Sequence, residues 1–209
     1  VFVIYDDVQY STGSWRNRNL LKTATGTKWM TVPVHVHGKP TIDEVEIADE
    51  KKSGRNQHQE LIETSLGRAP FFEVARDIWQ RGIDVESRFL SRLNVSLLKS
   101  VCQYLGVTTP LVNARDFQRV GTATSRLIDL LTKLGAKSYL SGPSAQDYLD
   151  ETPFRERGIR LEYKSYDYSP YPQQWGEFVD GVSILDLIAN TGPNAGEFLR
   201  SRTPDEVAV

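Results

Sequence analysis

Five residues, Trp15-Arg16-Asn17-Arg18-Asn19, hold two arginines, two amides and a tryptophan. Two guanidinium forks flanked by amides grasp carboxylate or phosphate groups when their loop is held, and form a solvated charged turn when it is not. The adjacent carboxylates of Asp6 and Asp7 can share a proton, hold Mg²⁺ through oxygen or orient an amine; alternatively, one caps a turn while the other faces water. His58 stands near a helix start, in Arg55-Asn56-Gln57-His58. It suits a general base, an anion ligand or a plain surface histidine. Ser141-Gly142-Pro143-Ser144 joins a strand to a helix, so its N–H groups can cradle an anion, or Ser144 is simply an N-cap. The stretch lacks both the GxGxxG spacing of a dinucleotide fold and the Lys-Ser/Thr ending of a P-loop. His35 and His37 share one side of a strand, but no cysteine ligand or HExxH helix joins them. The sequence therefore assigns no metal and leaves any cofactor open. Cys102 lies in an apolar helical face between Val101 and Leu105 and reads as core, and there is no GxSxG elbow.

The elements that must position these groups follow from hydrophobic period. Val1 to Ile4 reads as a strand buried on both faces of a parallel sheet, with Asp6 and Asp7 beyond its C-terminal end. Lys28 to Val36, interrupted by Pro33, and Ile42 to Ile47 read as short strands of a small antiparallel insertion near residues 28–47. Helical spacing then takes over, in a helix around Leu61 to Leu66, a second from Phe71 to Trp79, and a long third from Val85 to Leu105. Beyond it the chain repeats a helix, a glycine and a strand, with strands at Thr109–Val112, Lys137–Leu140 and Ile159–Tyr163 and helices at Ala123–Leu134 and Ser144–Asp150. Val182–Ala189 reads as a buried helix and Pro193–Arg200 as a terminal one. This alternation predicts an α/β fold with a mostly parallel sheet flanked by helices. With no repeat and no linker, residues 1–209 read as a single domain. Ligands of such sheets bind past the carboxyl ends of the strands, which selects Tyr5–Gln9, Asn113–Asp116 and Ser141–Gln146.

Composition narrows the classes. The chain has 209 residues, 39% of them hydrophobic and 25% charged, which is enough for a sizeable core without staples. With 25 Lys+Arg against 27 Asp+Glu, the net charge of −2 gives no excess for a polyanion, so no nucleic-acid partner is expected. No apolar run approaches a membrane span. The lone cysteine favours a reducing, cytoplasmic setting. Phe71, Phe72 and Trp79 suit a homodimer surface or helix burial equally well.

Together these stretches resemble the WbqC-like family, bacterial proteins often encoded among genes for O-antigen, lipopolysaccharide, capsule or specialised-metabolite (natural-product) biosynthesis. The resemblance is carried by Val3-Ile4-Tyr5-Asp6-Asp7-Val8-Gln9-Tyr10, Trp15-Arg16-Asn17-Arg18-Asn19, Trp29-Met30-Thr31-Val32-Pro33-Val34 and His58. It continues through Ala69-Pro70-Phe71-Phe72, Leu134-Gly135-Ala136, Tyr139-Leu140-Ser141-Gly142-Pro143, Tyr148-Leu149 and Ser183-Ile184-Leu185-Asp186-Leu187 with Asn190 and Gly192. Proteins of this family open with a further strand and a His-Gln-Pro-Asn-type loop. The resemblance thus implies a domain truncated at its N-terminus here, with an opening faintly like that of nucleotidyltransferases.

What the resemblance implies is a transferase that moves an acyl or aminoacyl group, glycyl for example, to an amine on a small-molecule substrate, nucleotide-sugar or carrier-linked. Arg16 and Arg18 would hold an anionic group, Asp6 or Asp7 would orient the amine, and His58 would relay its proton, with Gln9, Trp15, Asn17, Asn19, Ser141, Gly142 and Asn190 contacting substrate. Two other classes compete. A non-catalytic ligand-binding or scaffolding protein predicts binding without turnover, and a nucleotide-handling enzyme predicts metal-dependent stabilisation by nucleotides.

Overall fold

A computed structural model describes the backbone of residues 1–48 and 54–209 and the side chains of 1–48 and 56–209. In chain order the elements are β1 (Phe2–Ile4), β2 (Arg18–Thr23), β3 (Gly26–Thr31), β4 (Val34–His35), β5 (Glu46–Ile47), α1 (Gly54–Leu66), α2 (Phe72–Ile83) and α3 (Leu90–Tyr104). There follow β6 (Leu111–Asn113), α4 (Ala123–Lys133), β7 (Ser138–Ser141), α5 (Thr152–Arg157), β8 (Arg160–Tyr163), α6 (Ile184–Thr191) and β9 (Glu206–Val207). The chain forms two compact units, one of residues 1–111 and 170–199, the other of 112–169 and 200–209.

In the first unit, β2 and β3 form an antiparallel hairpin from Arg18↔Thr31 to Thr23↔Gly26. Gly26 has φ +109°, a conformation that side chains resist, and the Thr23 hydroxyl donates to its carbonyl at 2.7 Å. Leu21 points fully into the core. Helix α2 buries Ala75, Ile78, Trp79 and Gly82, an i, i+3, i+4, i+7 stripe. At Gly82 it runs against α3 so closely that a Cβ would lie 2.9 Å from the Leu97 Cα. Helix α6 is buried along nearly its whole length, from Leu185 to Thr191, and forms the centre of a core that includes Leu66, Ala75 and Ile78. A smaller cluster of Tyr10, Ile42, Val45 and Leu90 sits beside it.

The second unit contains the β–α–β grammar read from the sequence. Strands β7 and β8 are parallel, from Ser138↔Arg160 to Ser141↔Tyr163, and β9 adds an antiparallel edge. Ile128 and Leu131 of α4 and Phe154 of α5 cover this sheet through Leu161 and Tyr163.

The α/β class holds, but the mostly parallel sheet does not form. The described residues contain three two-stranded sheets and one of three strands. Strand β1 leaves Val1 71% and Phe2 51% exposed, so it is not buried on both faces. The insertion is antiparallel, but it begins at Arg18, ten residues earlier than the alternation predicts. Ile42–Glu44 is a 3-10 turn, closed by the Thr41 N–H donating to Glu44 Oε2 at 2.8 Å, leaving Glu46–Ile47 as the strand. Pro143–Asp147 and Gly192–Leu199 are likewise 3-10 turns rather than α-helices. Trp79 is buried in the core of its own chain, with the half-buried Phe72 packed against that core. No helix among the described residues is long and apolar enough to cross a membrane.

Candidate functional site

The first unit contains a cavity of about 300 Å³, open to solvent on one side, between the β2–β3 hairpin and helices α2, α3 and α6. Its largest wall is apolar: Ile83 from α2, Leu97, Leu98 and Val101 from α3, and Ile184 at the start of α6. These side chains are half-buried, and Ile83, Leu97, Val101 and Ile184 also pack against the core.

One side of the cavity is polar, and a chain of hydrogen bonds holds it together. Trp15, Arg16, Asn17, Arg18 and Asn19 all line it, with Trp15 79% exposed at the mouth. The Arg16 guanidinium donates to Ser11 Oγ at 2.7 Å and lies near the Trp15 ring. Asn94 of α3, also in the lining, donates through Nδ2 to the Arg16 carbonyl at 2.8 Å. Arg18 lies over the Trp29 ring at 4.1 Å, and its Nε is buried with no hydrogen-bond partner among the described residues. Asn17 is 8% exposed and donates through Nδ2 to the Val32 carbonyl at 3.0 Å. Because that carbonyl can only accept, the amide orientation is fixed. Asn17 Oδ1 is left buried without a donor among the described residues.

His58 completes the lining, 2.8 Å through Nε2 from the Thr31 carbonyl. The carbonyl accepts, so Nε2 carries the hydrogen and Nδ1 keeps its lone pair. Burial pushes the imidazole pKa below its ordinary value, against the opposing pull of the Thr31 carbonyl. The lowered pKa favours the neutral ring, with Nδ1 as its acceptor nitrogen.

The other expected residues lie elsewhere. Asp6 is buried and accepts from the Ser91 hydroxyl, tying the end of β1 to α3. Asp7 and the exposed Gln9 follow it outside the cavity lining, Gln9 bridging to Thr41. Ser141 and Gly142 belong to the second unit, at the C-terminal end of β7, where a Cβ on Gly142 would lie 3.8 Å from the Tyr166 hydroxyl. Asn190 donates to the Asp186 carbonyl at 2.8 Å and lies outside the cavity lining. The structure thus gathers His58 with Trp15–Asn19 and leaves Asp6, Asp7, Gln9 and Asn190 out of that cavity. The stacked rings of His35 and His37, with centroids 6.4 Å apart, belong to no group of three or more metal-ligating side chains among the described residues.

Asn94 and the apolar wall escaped the sequence reading. Leu93, Leu97, Leu98 and Val101 carry the same period whether they meet another helix or an empty space. Asn94 within that stripe was the available signal.

A second polar cluster surrounds Asn190. The 4%-exposed Lys22 donates to Gln173 Oε1 and the Gly176 carbonyl, each at 3.2 Å, and to the Glu177 carbonyl. Gln173 donates to the Tyr171 hydroxyl at 3.1 Å, and that hydroxyl donates to Asp186 Oδ1 at 2.9 Å. Burial raises the pKa of both Asp186 and Tyr171, so the hydroxyl stays a donor.

No solved structure matches the chain. The uncharacterized protein Rv1507c of Mycobacterium tuberculosis is 41% identical over 202 residues, which cover 95% of this chain and 87% of that protein. Residues 1–198, including every residue around the cavity, match the WbqC-like protein family, and the chain belongs to that family.

Proposed function

We propose that the chain is a transferase of bacterial glycan or specialised-metabolite assembly that moves an acyl or aminoacyl group to an amine. The observation that supports this is a single cavity of about 300 Å³ that combines an apolar wall with Arg18 and a neutral His58. The wall and volume suit a small-molecule site with a few polar groups to orient its ligand. In this reading Arg16 and Arg18 hold the carboxylate or phosphate of an activated donor. The amine nitrogen attacks the acyl carbon, forming the C–N bond as the bond to the leaving group breaks. His58 Nδ1 takes the proton from the attacking amine and returns it to the leaving group.

The test is amide formation from activated donors and amino-sugar acceptors, followed by mass spectrometry. His58→Gln should lower turnover by about 10²-fold or more while donor binding persists. Donor binding with no product from any acceptor would instead assign the chain to the non-catalytic ligand-binding class.

A further inference from the structure

The cavity is large for the group a glycyl transferase would hold. We infer that it takes a long apolar acyl chain, of roughly ten to twelve carbons or an aromatic group of similar bulk, with its carbonyl or carboxylate end at Arg18. This inference rests on the transferase reading and names the substrate class of the same site.

Three observations support it. A dry apolar cavity of about 150 Å³ holds one benzene, so about 300 Å³ accommodates about twice that bulk. The wall of Ile83, Leu97, Leu98, Val101 and Ile184 offers no hydrogen bond. Side chains around such a void lack packing partners that a hydrocarbon chain supplies. The polar lining is also gathered on one side. Asn94 is bonded to the Arg16 carbonyl, His58 to the Thr31 carbonyl opposite Arg18, and the Ser183 N–H to the Leu20 carbonyl at 2.8 Å, so all three sit against β2 and its flanks. A ligand that meets both sides is polar at one end and apolar along the rest. Glycyl has no apolar body to place there.

The experiment measures affinity for straight-chain carboxylates from acetate to tetradecanoate, each below its micelle concentration, by calorimetry on the purified chain. Affinity should rise about fourfold per methylene and level off near decanoate to dodecanoate. Leu98→Trp fills the wall and should move the plateau to shorter chains; Val101→Phe does the same with a smaller intrusion if the first variant fails to fold. A series without length dependence overturns the inference. So does a slope that survives unchanged in a folded, filled variant, because such binding would be to the outer surface. The two readings fail separately. Length-dependent binding without acyl transfer keeps this inference and removes the enzyme, whereas glycyl transfer with a flat series does the reverse.

Discussion

The first unit holds two polar clusters, one around Lys22 and Asp186 and one around Asn17 and Arg18, and they differ in how their hydrogen bonds are met. The Lys22 ammonium places its three donors on three oxygens, and Asp186 receives Tyr171 and Asn190. At the cavity, Asn17 Oδ1 and Arg18 Nε are buried and unmatched among the described residues. Buried polar groups are almost always satisfied, so the completed cluster is structural, while the incomplete one lines the cavity where the proposal places a ligand. The completed cluster fastens the irregular stretch from Tyr171 to Val179 onto the core, helped by the Trp175 indole donating to the Ser65 carbonyl at 2.7 Å. Trp175 holds φ +66°, a strained value for a tryptophan, which the surrounding bonds must outweigh.

The largest effect should come from breaking the completed cluster. Lys22→Met keeps the side-chain length but leaves the Gly176 and Glu177 carbonyls without this donor, and Gln173 Oε1 with the Val179 N–H alone, at a cost of about 3 kcal/mol or more. Urea unfolding measures it, and a loss below about 1 kcal/mol would remove the structural role. The same contrast can be drawn in the packing. Ile188→Ala, at a fully buried position of α6, should cost about 2–5 kcal/mol. Leu98→Ala should cost less, because its side chain lines the cavity and is not among those packed against the core, so its loss enlarges an existing space. Equal costs would mean that the cavity wall is packed like the core.

At the incomplete cluster the order of effects reverses. Arg18→Met gives up a cation–π contact with Trp29 worth about 0.5–1 kcal/mol and also removes a buried donor without a partner. Stability should stay within about 1 kcal/mol of wild type, while octanoate affinity falls about tenfold for the lost charged hydrogen bond. A variant that unfolds instead would place Arg18 with Lys22 among the structural residues.

How much of this could be read from the sequence depended on whether local pattern or tertiary contact decided the outcome. Helices α1, α2, α4 and α6 follow their apolar period, and Ser138–Ser141 and Arg160–Tyr163 follow the helix–glycine–strand rhythm. Strand β2 was missed because Arg18 and Lys22 break its alternation; both are held by partners remote in sequence or by an aromatic face, which no local pattern encodes. Ile42–Ile47 alternates like a strand, but a Thr41–Glu44 cap turns its first half into a 3-10 turn. The polar cluster Trp15–Asn19 was legible because five such residues together are rare. Its alliance with His58 depends on the β3–α1 contact at Thr31, and the apolar wall on an empty space, which leaves no mark in residue type.

The smallest effect, and the sharpest test of the comparison, is pH. Burial lowers the folded pKa of His58 below its unfolded value of about 6.5. Its contribution to stability is therefore fully present above about pH 6.5 and is lost as the pH falls through the depressed value. Asp186 behaves oppositely. Burial raises its folded pKa above the ordinary carboxylate value, so the folded state holds the proton more tightly, and the contribution declines as the pH rises through the raised value. The wild type should thus lose ground to His58→Gln on acidification below about pH 6.5, and gain ground on Asp186→Asn as the pH falls towards 4. Urea midpoints measured across that range for the three proteins give both slopes. Slopes of the same sign would mean that one of the two groups lies in surroundings unlike those described, and with it the division between a finished structural cluster and an open binding one would fall.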